Sequence, residues 1–335
     1  MSLQHPIGSP FTAASTADDV LAGIDLTGQN VIITGGHTGL GREMTRALSG
    51  AGASVTVGAR DVDRATAALT GIEGVAVDRL DLADPASVTA FAARRVASGQ
   101  PVHVLINNAG VMGGPLVHDA RGFESHLATN HLGHFQLTRD LLPALLAAGG
   151  ARVVTMTSGA HRMTDIRWDD PQFAAGGYDE LGWAGYGQSK TANVLFTVEL
   201  DRRYAEQGIR AYAVHPGIVL GTGLGPQRAA GEPLVLHDGA LAQFQAMGLV
   251  DADGTAIIDP ETDKKTPAQG ASTAVFAATS PLLDDIGGVY LRNNEVSALE
   301  EPVFDPMASS LVARHAVDPG SARRLWELSE TMLKG

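Results

Sequence analysis

The sequence contains no cysteine. Disulfides, thiolate metal sites and cysteine nucleophiles are therefore excluded, and the composition suits a reducing compartment, so a cytoplasmic location is expected. Basic residues are also scarce. Lys and Arg number 24 against 37 Asp and Glu, for a net charge of -13. That balance argues against a broad nucleic-acid-binding face and against general attraction to anionic membrane. No apolar run approaches the roughly 20 residues that span a bilayer. The start of the chain has neither the basic segment nor the apolar stretch of a signal peptide. Aromatics make up only 5%, whereas glycine is plentiful at 40 residues. Abundant glycine suits a fold with many strand–helix turns.

What is present is a regular alternation. Residues 1–24 are rich in Ser, Thr, Ala and Pro and read as an extended arm. Residues 25–335 read as one domain. Short β-branched runs fall at 31–34, 54–58, 75–78, 102–106, 152–157, 210–214 and 288–291. Helical segments lie between them, the longest predicted over 123–148. Several runs are apolar throughout, as expected where both faces of a parallel sheet are covered. The pattern predicts an α/β fold, a Rossmann-type doubly wound parallel sheet of about seven strands flanked by helices. Two long stretches, 159–185 and 217–266, interrupt the rhythm. Both leave the carboxyl end of a strand, where open α/β sheets bind ligands, and are expected to shape a substrate pocket.

The first strand runs into Thr34-Gly35-Gly36-His37-Thr38-Gly39-Leu40-Gly41. Glycine permits the tight turn and a close backbone approach to phosphate, and the following helix offers free N–H groups to a pyrophosphate. Candidate cofactor contacts here are Gly35, His37, Thr38, Gly39, Leu40 and Gly41. The second strand ends Val57-Gly58-Ala59-Arg60. An acidic residue at this point would hold the 2′-hydroxyl of NAD, whereas Arg accommodates the 2′-phosphate of NADP. Arg60 therefore favours NADP(H), with NAD(H) left possible because Asp61 partly offsets its charge. Further on, Tyr186-Gly187-Gln188-Ser189-Lys190 puts Tyr and Lys at i and i+4 on one helix face.

The spacing Gly35, Gly39, Gly41 with Thr34 in front resembles the short-chain dehydrogenase/reductase family. Asn107-Asn108-Ala109-Gly110 and the Tyr186–Lys190 pair strengthen the likeness, which spans about Leu26 to Leu333. The resemblance implies a single Rossmann-type domain and an alcohol–carbonyl oxidoreductase. It implies catalytic roles for Asn130, Ser158, Tyr186 and Lys190. Tyr186 is the acid/base, its phenol made more acidic by Lys190 and the nicotinamide, Ser158 holds the substrate oxygen, and Asn130, in a helix irregularity, positions a water for proton relay. It implies cofactor contacts from Asp81, Leu82, Asn108, Ala109, Gly110, Tyr186, Lys190, Pro216, Gly217, Ile218 and Thr222. Asp81 equally fits a helix N-cap ahead of Pro85. The family's usual Thr falls on Gly221 here, with Thr222 one later. His131 and His134 lack a third convergent ligand, so they are read as structural, and no metal is expected.

The segments Asn130-His131-Leu132-Gly133-His134-Phe135 and Leu325-Trp326-Glu327-Leu328 resemble the retinol-dehydrogenase-like branch. That likeness implies a small hydrophobic alcohol or carbonyl as substrate and a homo-oligomer, dimer or tetramer, built on the long helices beside the site. Two other readings stay open on the same scaffold: reduction of a C=C bond in an enone, and an NADP(H)-sensing protein without catalysis.

Overall fold

The computed structural model describes residues 4–224, 238–300 and 311–334. Part of the 217–266 stretch, residues 225–237, lies outside them. In chain order the strands are β1 (Asn30–Thr34), β2 (Ser54–Ala59), β3 (Val75–Arg79), β4 (Val104–Asn107), β5 (Ala151–Met156), β6 (Ile209–His215), β7 (Val289–Arg292) and β8 (Glu295–Val296). The helices are α1 (Ala17–Leu21), α2 (Gly39–Gly50), α3 (Val62–Ala68), α4 (Pro85–Ala97), α5 (Gly133–Asp140), α6 (Leu142–Leu146), α7 (Trp183–Tyr204), α8 (Asp238–Ala246), α9 (Pro267–Thr279) and α10 (Pro319–Met332).

The sheet order is β3-β2-β1-β4-β5-β6-β7-β8. Every pair is parallel except β7–β8. The strand order reverses between β1 and β4, so the crevice at their carboxyl ends is the expected ligand site. Among the described residues the sheet has eight strands, one beyond the sequence count. The extra strand has only two residues, too few to show a period. It is reached through Asn293 and Asn294, both left-handed at φ 55 and 61. Two such residues form the mirror-image turn that matches the twist of a hairpin.

The helix expected over 123–148 is broken. A π-helical turn, Leu127–Leu132, precedes α5, and α6 follows with Pro143 in its first turn. Pro143 has no amide to continue the ladder. The N-terminal segment is pinned to the far sheet edge. The Gln4 amide donates to the Tyr290 carbonyl at 2.8 Å, and the Glu295 carboxylate accepts the amides of Ile7, Gly8 and Ser9.

Apolar layers cover both sheet faces, one supplied by α1, α2 and α9, the other by α4, α5, α6, α7 and α10. On the second face Trp326 of α10 packs edge-on to Phe135 at 4.8 Å and stacks on Phe196 at 6.0 Å. The Arg203 guanidinium lies 4.5 Å from its ring centre. α10 thus lies on α5 and α7. Truncating Trp326 to Ala leaves a cavity among rings that cannot collapse, and is expected to cost about 3–5 kcal/mol, read as a lower urea midpoint.

Candidate active site

The glycine turn leaves β1 with Gly35 at φ 64 and Gly39 at φ 49, conformations that favour glycine. Thr34 sits beneath it, with its hydroxyl accepting the amides of Asn108 and Ala109, both at 2.9 Å. The same hydroxyl lies 2.9 Å from His134 Nε2. A hydroxyl has one proton, so Thr34 donates it to Nε2 while it accepts the two amides. His134 therefore carries its proton on Nδ1 and donates it to the Asn130 carbonyl at 3.0 Å. Burial pushes its pKa down to about 4, which keeps the ring neutral. His131 bonds the Ser329 hydroxyl of α10 at 2.7 Å. Both histidines thus tie elements together.

Three features of the turn fit a dinucleotide phosphate group. Gly41 has no room for a side chain, since a Cβ there would lie 2.3 Å from the Gly35 carbonyl. Thr38 supplies no side-chain cap, so the first amides of α2 remain available to another acceptor. His37 Nδ1 is buried without a partner. Burial, with Arg64 and Arg60 nearby, lowers the His37 pKa. Arg64 belongs to a basic cluster that sequence reasoning missed, although its position one helical turn beyond Arg60 was a readable signal. Arg79 joins it by donating to the Arg60 carbonyl at 3.2 Å. Asp61 caps α3 through the Arg64 amide, which engages its carboxylate at the helix start.

Asp81 does not cap α4; Asp84 does, accepting the Ala86 amide at 2.9 Å. The Asp81 carboxylate instead accepts the Ala83 amide. Leu82 is buried, and its carbonyl lies 2.4 Å from where a Cβ on Gly133 would stand. Gly217 is left-handed at φ 88, and Ile218 beyond it donates to the Asp263 carbonyl at 2.7 Å. Thr222 packs over Gly39, with its carbonyl 2.5 Å from the place of a Gly39 Cβ.

Tyr186 and Lys190 lie in α7, whose start is capped by Asp179. That carboxylate accepts the amides of Leu181, Trp183 and Ala184. Sequence reasoning missed this cap. The Tyr186 side chain is buried, with the Ser158 side chain close enough to lower the pKa of its phenol. The Lys190 ammonium is 5.4 Å from the Tyr186 ring centre and donates to the Met156 carbonyl at 3.1 Å. Thr157 is turned away, donating to the Lys190 carbonyl at 2.8 Å. Asn130 sits in the π-helical turn. Its side chain grips the backbone of Val111 at 2.8 and 3.0 Å and donates to the Ser189 hydroxyl at 3.0 Å. Its amide group is thereby fully used within the protein, and only one oxygen lone pair is left over.

Burial pushes the Tyr186 phenol up to about 12, partly countered by the Ser158 hydrogen bond. Burial alone brings Lys190 down to about 8. Within the protein itself, desolvation therefore dominates both groups and sets the direction of each shift.

Residues 29–169 match the family model described as short chain dehydrogenase. A probable oxidoreductase of Streptomyces lividans is 43% identical, with 91% of this chain and 97% of that one covered. This chain is a short-chain dehydrogenase/reductase. Retinol dehydrogenase 12 of Bos taurus is 37% identical over 92% of this chain and 88% of its own length, which places the present reductase in the retinol-dehydrogenase-like branch. A solved structure from Mycobacterium paratuberculosis, titled a putative uncharacterized protein, superposes with TM-score 0.68 at 32% identity. It covers 97% of this chain and 98% of its own. The family assignment makes the chain an alcohol–carbonyl oxidoreductase that binds NAD(P)(H).

Proposed function

We propose that this dehydrogenase/reductase interconverts a small hydrophobic alcohol and its carbonyl compound, with NADP(H) as the preferred cofactor and Tyr186 as the acid/base. The observation that carries this reading is the convergence of Ser158 and Lys190 on the buried Tyr186. When bound, the cofactor supplies or accepts a hydride at the substrate carbon. In the reducing direction Ser158 holds the carbonyl oxygen. The carbon–oxygen π pair moves onto that oxygen as hydride arrives. Tyr186 then gives its proton to the same oxygen. Lys190 would hold the ribose of a bound cofactor and favours the phenolate left behind. Asn130 keeps Val111 and the Ser189 hydroxyl in place, and Ser189 in turn donates to the Tyr186 carbonyl at 2.7 Å.

The rim supports an apolar substrate. Val111 on the loop after β4, Leu181 and Trp183 at the start of α7, and Ile218 after β6 are all exposed. Trp183 reaches to 6.1 Å from the Tyr186 ring. The basic cluster of Arg60, Arg64 and Arg79 supports NADP(H), because a 2′-phosphate needs a cationic seat.

Calorimetric titration with NADPH and with NADH tests the cofactor reading. NADPH is expected to bind at least about tenfold more tightly, and Arg60→Ala to remove most of that difference, since one charge-assisted contact contributes roughly 1.5–3 kcal/mol. Equal affinities in the unaltered protein would overturn it. A panel of aliphatic and aromatic aldehydes with NADPH then tests the reaction class.

A further inference from the structure

His215 closes β6, and Gly159 follows Ser158, which lies two residues beyond the end of the neighbouring β5. The Gly159 amide donates to His215 Nδ1 at 3.2 Å. Nδ1 is therefore the bare nitrogen, and the ring proton sits on Nε2, 2.9 Å from the Asp263 carboxylate. The other oxygen of that carboxylate accepts Arg292 at 3.0 Å. All three side chains are buried. Asp263 comes from the far end of the long 217–266 stretch and stands at φ 69, a conformation few residues other than glycine hold unless their surroundings impose it. Its main-chain carbonyl holds the Ile218 amide. Its carbonyl and carboxylate also lie 2.9 and 3.0 Å from where a Cβ on Gly217 would be. One residue thus touches both the turn after β6 and, through His215, the turn that carries Ser158.

We infer that Asp263 and His215 form a positioning pair for the reaction. Asp263 fixes the imidazole tautomer, the bare Nδ1 anchors the Gly159 amide, and that anchor sets where the Ser158 hydroxyl stands relative to Tyr186 and to the Pro216–Ile218 turn. The inference rests on the proposed function for its kinetic consequence and on geometry alone for the hydrogen bonds. It also gives the long stretch after β6 a role besides lining the pocket: its last residues hold the serine turn in register with the cofactor turn. A hydroxyl displaced by a fraction of an ångström no longer meets the forming oxyanion, and such a misplacement is costly even when nothing that touches substrate is altered.

Two substitutions separate the two bonds of the ring. His215→Asn retains an oxygen where Nδ1 stood, so it can still accept the Gly159 amide while losing Asp263. His215→Gln retains a polar atom near Nε2 and loses the Gly159 anchor. Aldehyde reduction with NADPH is measured for both, with Tyr186→Phe as control. His215→Gln is expected to lower kcat roughly 10- to 100-fold with little change in KM for NADPH, and His215→Asn to recover most of the loss. Equal losses in both variants that follow their thermal midpoints would overturn the inference. Full kcat in His215→Gln with an inactive Tyr186→Phe would also overturn it and leave the proposed function standing. An active Tyr186→Phe would instead count against the proposed function. Nitrogen-15 spectra of the unaltered protein need neither turnover nor a variant. They are expected to show His215 protonated at Nε2 with an N–H···N coupling to the Gly159 amide, and a proton on Nδ1 would sink the positioning pair.

Discussion

Replacing Tyr186 by Phe is expected to lower kcat for carbonyl reduction by roughly 10²–10⁴-fold, the range for losing a general acid. NADPH affinity should stay nearly the same. The substitution removes one oxygen and leaves the ring, which is edge-on to His126 at 6.0 Å and to Trp183 at 6.1 Å. Fold and pocket shape are therefore retained, and the loss falls on the chemical step. Steady-state kinetics combined with cofactor titration decide the matter, and full turnover in the variant would remove Tyr186 from the mechanism. The pH dependence follows from the same burial. The phenol stays protonated up to about 12, so Tyr186 remains a competent donor across the working range. Lys190, brought down to about 8, is charged below that value and neutral above it. A decline of reduction above pH 8 is thus expected to report Lys190, and Lys190→Met should abolish that limb of the profile.

Gly41→Ala is expected to damage both the fold and cofactor binding. The new Cβ would sit 2.3 Å from the Gly35 carbonyl oxygen and 2.7 Å from Asn108 Nδ2. Neither neighbour yields easily. The first is main chain within the glycine turn, and the second already donates to the Thr34 carbonyl at 2.9 Å. Overpacking of this kind costs about 1–3 kcal/mol, and here it also moves the amides aimed at the cofactor phosphates. Gly50, at the other end of α2, is a built-in control. Nothing lies within 4 Å of its would-be Cβ. Gly50→Ala should be neutral or stabilise by up to about 1 kcal/mol through the unfolded chain. Denaturant midpoints and NADPH titration of the two variants give the comparison. A Gly41→Ala protein that matches the unaltered chain in both would refute the close-approach argument.

The legible parts were those whose chemistry is local. The turn Thr34–Gly41 announces itself because a strand, three spaced glycines and a helix lie within one short segment. Tyr186 and Lys190 are readable because a helix puts i and i+4 on one face. The alternation of apolar strands and helices foretold the parallel sheet, since a strand covered on both faces needs no polar partner residue. The π-helical turn at Asn130 was legible only by resemblance, because the apolar period of 123–148 passes through it and through Pro143 with little disturbance. β8 was not legible, as two residues carry no period, although the Asn293-Asn294 pair was a usable turn signal.

The sequence by itself determined the element order, the phosphate-binding turn and the family, because each depends on neighbours along the chain. Tertiary structure alone decided that Arg79 joins Arg60 and Arg64, that α10 lies over α5 and α7, and that burial sends Tyr186 and Lys190 in opposite directions from their ordinary values. It alone brought Asp263 to His215 across 48 positions. These outcomes depend on distance in space and on how much water the packed chain excludes, and neither quantity is encoded at any single position.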